Sequence, residues 1–137
     1  MKLVLDTNIF IAAFLAKGLA SDILKLGESR KLQIYASRAI LYEVEEKLLE
    51  KTKLDRRYVE KFIHHLTQAV FIVKPRRRLD VIKNDPEDNK VLECAVAAKA
   101  NLIISMDKHL TKLKSYGPIG IVHPKTLTWI IPKILAG

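Results

Sequence analysis

The feature that most narrows what this chain can fold into is a series of short apolar runs without polar alternation. Leu3-Val4-Leu5, Ile34-Tyr35-Ala36, Val70-Phe71-Ile72-Val73, Leu102-Ile103-Ile104-Ser105 and Ile119 to Val122 are five such runs, and helical segments separate them. A strand with one face in water alternates; a strand apolar throughout is covered on both faces, which is the habit of parallel strands joined by helices. The expected helices run over 7–16, from Leu19 to Ser29, from an N-cap at Ser37 through Leu49, and onward from Asp55. Further helices are expected to open at Asp85-Pro86, over Asp107 to Lys114, and at Pro124, the last carrying Leu127, Trp129, Ile130 and Ile131 with a kink at Pro132. Tyr116-Gly117-Pro118 reads as a turn. The expected class is therefore α/β, a five-stranded parallel sheet flanked by helices, built as one domain over residues 1–137. In open parallel sheets ligands bind beyond the carboxyl ends of the strands, so the residues that follow each run carry most of the functional information.

Composition excludes several classes. The longest uninterrupted apolar stretch, Ile9 to Ala16, is far short of the ~20 residues a spanning helix needs, so no membrane insertion is expected. Asp6 stops the first apolar run, which leaves no signal-peptide core. A single cysteine, Cys94, leaves no intrachain disulfide framework and fits a reducing, cytoplasmic setting. The net charge of +9 is compatible with polyanionic partners, and equally with a merely basic surface.

The acids decide between these. There are only 15; Asp6 follows the first strand and Asp107 follows the fourth, two residues after Ser105, while Asp85 and Asp88 open the helix before the fourth strand and Glu43 lies in the helix after the second. Singly, each has a plain structural role. Asp6, Asp85 and Asp107 could cap helices; Asp88, at an expected third helical position, suits the helix dipole; Glu43 could pair with Lys47 at i,i+4. Periodicity does not choose between Glu43 and Glu45, which flank the same stripe of Ile40, Val44 and Leu48. Collectively they are harder to dismiss. Two carboxylates ~4 Å apart repel by ~4 kcal/mol at an effective dielectric of 20, so a cluster needs a cation. An oxygen-rich set suits Mg²⁺ or Mn²⁺, ions that serve phosphoryl chemistry.

Other features weigh less. His64, His65, His109 and His123 lack zinc spacing and fit surface or loop roles. Cys94 fits a core thiol, and Trp129 packing. Two basic patches are candidate phosphate contacts: Lys74, Arg76, Arg77 and Arg78, and less so Lys51, Lys53, Arg56, Arg57 and Lys61. No Gly-rich phosphate loop or Gly-x-Ser-x-Gly elbow is present.

Four segments in order resemble the PIN-domain ribonucleases, more narrowly the small PIN proteins of toxin–antitoxin pairs related to VapC-type toxins. They are Leu5-Asp6-Thr7-Asn8-Ile9, Ser37 through Glu43, Asp85 through Ala95, and Ile104-Ser105-Met106-Asp107-Lys108-His109-Leu110. The resemblance spans nearly the whole chain. It implies a PIN-like, Rossmann-like three-layer fold and Mg²⁺- or Mn²⁺-dependent cleavage of RNA. Position by position, it implies an acidic metal site of Asp6, Glu43, Asp88 and Asp107, with Asp85 a nearby acid and Asn8 and Ser105 orienting ligands or water by hydrogen bonds. An antitoxin protein and a second copy of the chain are the implied partners. Met106 stands where relatives often have glycine, which would crowd the pocket or alter the turn; Pro132 in the last helix is a second departure. A catalytically weak PIN-like module that binds RNA or protein is the alternative. A haloacid-dehalogenase-like phosphatase would need a second Asp two residues after the first, where Asn8 stands.

Overall fold

In a computed structural model, which describes residues 1–83 and 85–132, the apolar runs form one mixed sheet. The strands are β1 (Lys2–Leu5), β2 (Gln33–Ala36), β3 (Phe71–Ile72), β4 (Leu102–Ile104), β5 (Ser115–Tyr116) and β6 (Ile119–Val122), in the order β3-β2-β1-β4-β6-β5. All neighbours are parallel except β5 and β6. The helices are α1 (Thr7–Leu15), α2 (Leu19–Glu28), α3 (Arg38–Lys51), α4 (Arg56–Ala69), α5 (Asp88–Ala98), α6 (Lys108–Thr111) and α7 (Pro124–Ile130). Among the described residues no helix is long and apolar enough to cross a membrane.

The central strands behave as their composition dictates. Leu3, Val4 and Leu5 are consecutive and all buried, so β1 is covered on both faces; each such side chain removed from water stabilises the fold by ~1.5–3 kcal/mol. One face packs on α5, which touches β1, β2 and β4. Close approach also shapes the packing of α2 on β2: a Cβ on Gly27 would lie 2.5 Å from Ile34 Cδ1. The Ser37 hydroxyl caps α3 by accepting from Ile40 N–H at 3.2 Å, and Asp55 caps α4 by accepting from Arg57 N–H at 3.1 Å.

Several expectations need correction. The sheet has six strands, because the chain returns through Gly117-Pro118 to lay β5 antiparallel on β6. Gly117 takes φ +57 at the first of the two loop positions, where a two-residue hairpin with proline second needs positive φ. At the other edge β3 is exposed rather than buried; the Arg30 guanidinium lies 4.6 Å from the Phe71 ring centroid and screens it. The fifth helix begins at Asp88, not Pro86: its first bonds are i→i+3, Asp88 N–H to Asp85 O and Asn89 N–H to Pro86 O, a tight entering turn. Asp88 is thus the first helical residue rather than the third. Helix α7 stops at Ile130, before Pro132, instead of kinking there. Trp129 does not pack; it is 84% exposed.

The chain turns one way from β1, to β2 and β3, and the other way at β4, to β6. The crevice between β1 and β4 is the topological switch point, where doubly wound sheets bind ligands.

Candidate metal centre

Register decides which side chains meet at this crevice. Leu5 is paired with Ile104, and Asp6 N–H donates to Ile104 O at 2.9 Å, so Asp6 and Ser105 leave the sheet side by side. The buried Ser105 hydroxyl donates to Asp6 Oδ2 at 2.8 Å and accepts from Asp107 N–H at 2.9 Å. One hydroxyl therefore fixes both strand-end acids. Asp6 is 4% exposed, and burial pushes its carboxyl pKa up. The bonds from Ser105 and the Thr7 N–H offset part of that rise, and the nearby Asp107 and Glu43 charges add to it. Asp107 also caps α6, accepting from His109 N–H at 2.7 Å.

Glu43 reaches the same place from α3. Its Oε2 accepts from the Thr7 hydroxyl at 3.1 Å, and its Oε1 lies 3.1 Å from Lys47 Nζ. Glu45 turns away to Arg56, at 4.0 Å. The choice that periodicity left open is thereby made by contact: Glu43 faces α1 and the strand-end acids. Lys47 is a cation inside the cluster. Burial lowers its pKa, but the Glu43 carboxylate, with Asp6 and Asp85, more than offsets this and leaves it raised.

The entrance of α5 supplies the remaining acids. Asp85 accepts from Glu87 N–H at 3.2 Å, which braces the entering turn; it does not cap α5 as expected, because the cap position is Glu87, which makes no side-chain cap bond. Asp88 is 5% exposed, and its Oδ2 has no hydrogen-bond partner among the described residues. Its pKa is pushed up to about 8 by burial first, then by the charges of Asp107, Asp6 and Asp85, and last by a hydrogen bond that the protonated acid shares with Asp107. Next to it, Asn89 accepts from Val81 and Ile82 N–H and donates to Ile82 O, all at 2.9 Å, which pins the loop before α5. Asp88, Asp107 and His109 each offer a donor atom within 4.8 Å of the others. Asp6 and Glu43 lie outside that three-membered set.

Not everything expected at the site is brought there. Asn8 is partly exposed and forms no side-chain hydrogen bond among the described residues. The basic loop lies elsewhere: Lys74, Arg76 and Arg77 face Glu93, Val96 and Lys99 across a cleft of about 1210 Å³, beside the far half of α5. Val96 is eight residues past Asp88, ~12 Å down the helix. Arg78 is exposed, as are Lys51, Lys53, Arg56, Arg57 and Lys61. Met106 is exposed and has no positive φ, so it neither crowds the acids nor needs glycine. Cys94 is a buried free thiol whose pKa burial pushes up to about 12. His65 pairs with Glu28, His64 lies near Gln68, and His123 caps α7. His109 breaks the expectation of a plain loop role by joining two of the acids. Pair spacing gives no hint of it; its place two residues after a strand-end acid does. Thr7 and Lys47 are likewise site residues whose only sequence signals were adjacency to Asp6 and the i,i+4 spacing from Glu43.

Comparison with known proteins agrees with this fold. Residues 2–109 match the family model for the PIN domain. An uncharacterized protein of Methanocaldococcus jannaschii is 33% identical over 138 aligned residues, covering 93% of this chain and 86% of that protein. The crystal structure of VapBC2 from Rickettsia felis bound to a DNA fragment from their promoter contains a similar fold. Its TM-score is 0.66 at 14% identity, with 90% of this chain and 98% of that one covered.

Proposed function

The chain belongs to the PIN-domain family, and on that premise we propose that it is a divalent-metal-dependent endoribonuclease, the toxin of a toxin–antitoxin pair. The observation that carries the reading is Asp88 Oδ2, a buried carboxylate oxygen without a partner among the described residues, set among acids at the switch point. A buried, unpaired acceptor is costly, and a cation is the partner that the surrounding oxygens suit. The residues present fit Mg²⁺ or Mn²⁺, held by Asp6, Asp88 and Asp107, with Glu43 ligating directly or through water. Such an ion supplies Lewis acidity, acidifying water and offsetting charge on the phosphoryl group.

The chain's own side chains do the positioning. Ser105 sets the rotamers of Asp6 and the approach of Asp107. Thr7 and Lys47 hold Glu43 in line with them. Asp85 adds negative charge at the rim, and Asn8, whose side chain makes no hydrogen bond among the described residues, is available to substrate or water. The PIN family supports a single domain over 1–137 that pairs with a second copy, and the fold shared with VapBC2 supports an antitoxin partner. The alternative, a catalytically weak module that binds RNA or protein, draws on one observation: Glu43 is already engaged by Thr7 and Lys47.

Cleavage of a labelled RNA with Mn²⁺ and with EDTA tests the proposal. The parent is expected to cut only with metal. Glu43→Gln is expected to slow cutting about 10–100-fold, as lost support of a metal site does. Glu45→Gln should cut like the parent, since its surface pair with Arg56 is weak. A parent without metal-dependent cleavage would favour the binding module.

Phosphate contact is proposed for Lys74, Arg76, Arg77 and Arg78. Each contact on single-stranded RNA contributes about −0.7 to the slope of log affinity against log salt. Replacing the three arginines with alanine should flatten that slope by up to about 2. A slope equal to the parent's would mark the loop as solvated surface with no hold on RNA.

A further inference from the structure

His109 stands at the acids although, among the described residues, no hydrogen bond of its ring holds it there. Its Nδ1 is 3.6 Å from Asp107 Oδ1, beyond hydrogen-bond length, and its side chain is 49% exposed. Only its backbone N–H engages Asp107. Yet the ring nitrogen, a carboxylate oxygen of Asp107 and one of Asp88 all lie within 4.8 Å of one another. A strand-end turn produces this. Asp107 caps α6, so the residue two positions later projects back over the cap, toward the entrance of α5 where Asp88 Oδ2 is buried and unpartnered.

We propose that His109 is a metal ligand, so that the site adds one imidazole to its carboxylates and selects Mn²⁺ over Mg²⁺. This rests on the divalent-ion reading above and deepens it. Oxygen donors alone bind either ion. An imidazole nitrogen is a poor donor to Mg²⁺, a hard ion that keeps its waters, and a good one to first-row transition metals. The half-exposure of the ring suits this role, because a ligand in contact with solvent is accessible to an incoming ion. Asp6, oriented by Ser105, would hold the same ion, and Glu43, engaged by Thr7 and Lys47, would do so directly or through water.

The experiment is a titration of the metal-free full chain with Mn²⁺ and, separately, Mg²⁺ by calorimetry, for the parent, His109→Ala and His109→Gln. Pulsed paramagnetic resonance of the Mn²⁺ forms accompanies it. The parent is expected to bind Mn²⁺ at least about tenfold more tightly than Mg²⁺ and to show nitrogen hyperfine modulation from one imidazole. Both variants should lose the modulation and bind Mn²⁺ about tenfold more weakly, with Mg²⁺ affinity changed less than about twofold. Because the His109 side chain forms no hydrogen bond among the described residues, unchanged melting curves should accompany these losses. The parent's spectrum decides the question by itself if a variant folds poorly. Mn²⁺ bound without nitrogen modulation overturns the inference and leaves the metal site standing. A parent that binds neither ion overturns both.

Discussion

Asparagine in place of Asp6 is expected to remove nearly all RNA cleavage while leaving the fold intact. The side chain is buried and bonded at one oxygen to Ser105, and an asparagine oxygen can accept the same bond. Burial already disfavours the Asp6 carboxylate, so removing its charge costs the metal-free fold little. Function should respond differently. In the proposed site that charge holds the ion and, through Ser105, sits opposite Asp107. Its loss should slow cleavage by about two to three orders of magnitude, equivalent to ~3–4 kcal/mol of transition-state stabilisation. Affinity for the same RNA in EDTA should hold or rise, since one fewer carboxylate repels the backbone. The two readouts are cleavage of a labelled RNA with Mn²⁺ and binding of that RNA with EDTA. Cleavage at the parental rate in the variant would trace the activity to a contaminant and remove Asp6 from the site.

Asp6 and Asp107 were legible because their signal is positional: each follows a wholly apolar strand, and a parallel sheet presents such residues on one edge. The neighbourhood of β1 and β4, which pairs Asp6 with Ser105, is a matter of strand order, and local pattern carries none. Glu43 and Glu45 illustrate the same limit. Helical spacing puts both beside one apolar stripe, and only the packing of α3 against α1 and α4 assigns Glu43 to Thr7 and Glu45 to Arg56. The β5 strand escaped because two residues are too few for periodicity, although the glycine of its hairpin was visible as a turn. Conversely, β3 has the composition of a buried strand yet ends the sheet, where cover by Arg30 replaces a neighbouring strand. Lys47 shows that a surface-type i,i+4 pair and a site residue can be one and the same: its partner's other oxygen faces the acids.

A second large effect is expected in stability rather than catalysis, at Asp88. Its folded-state pKa is pushed up to about 8 from an ordinary 3.8, by burial first and then by Asp107, Asp6 and Asp85. A folded state that holds the proton more tightly than the unfolded chain has its full stability below the unfolded pKa. That stability is lost as pH rises through the folded value. The metal-free protein should therefore weaken steadily from about pH 4 to about pH 8, and Asp6, raised in the same direction, should steepen the loss. After allowance for solvent screening at the open side of the site, the Asp88 share should be ~2–3 kcal/mol. Asp88→Asn cannot ionise, so in EDTA it should equal the parent near about pH 4 and exceed it by that amount near about pH 8. Metal should reverse the ranking. Mn²⁺ at ~100 times its dissociation constant adds ~2.7 kcal/mol to a protein that binds it only when folded, and more readily at high pH, where no proton competes for the carboxylate. The variant, lacking the ligand charge, should gain far less. Denaturant midpoints at low and high pH, with EDTA and with Mn²⁺, for parent and variant, give all of these differences. If the two proteins keep the same relative stability across the range in EDTA, Asp88 is not held against its charge, and the strained carboxylate that motivates a metal at this crevice is absent.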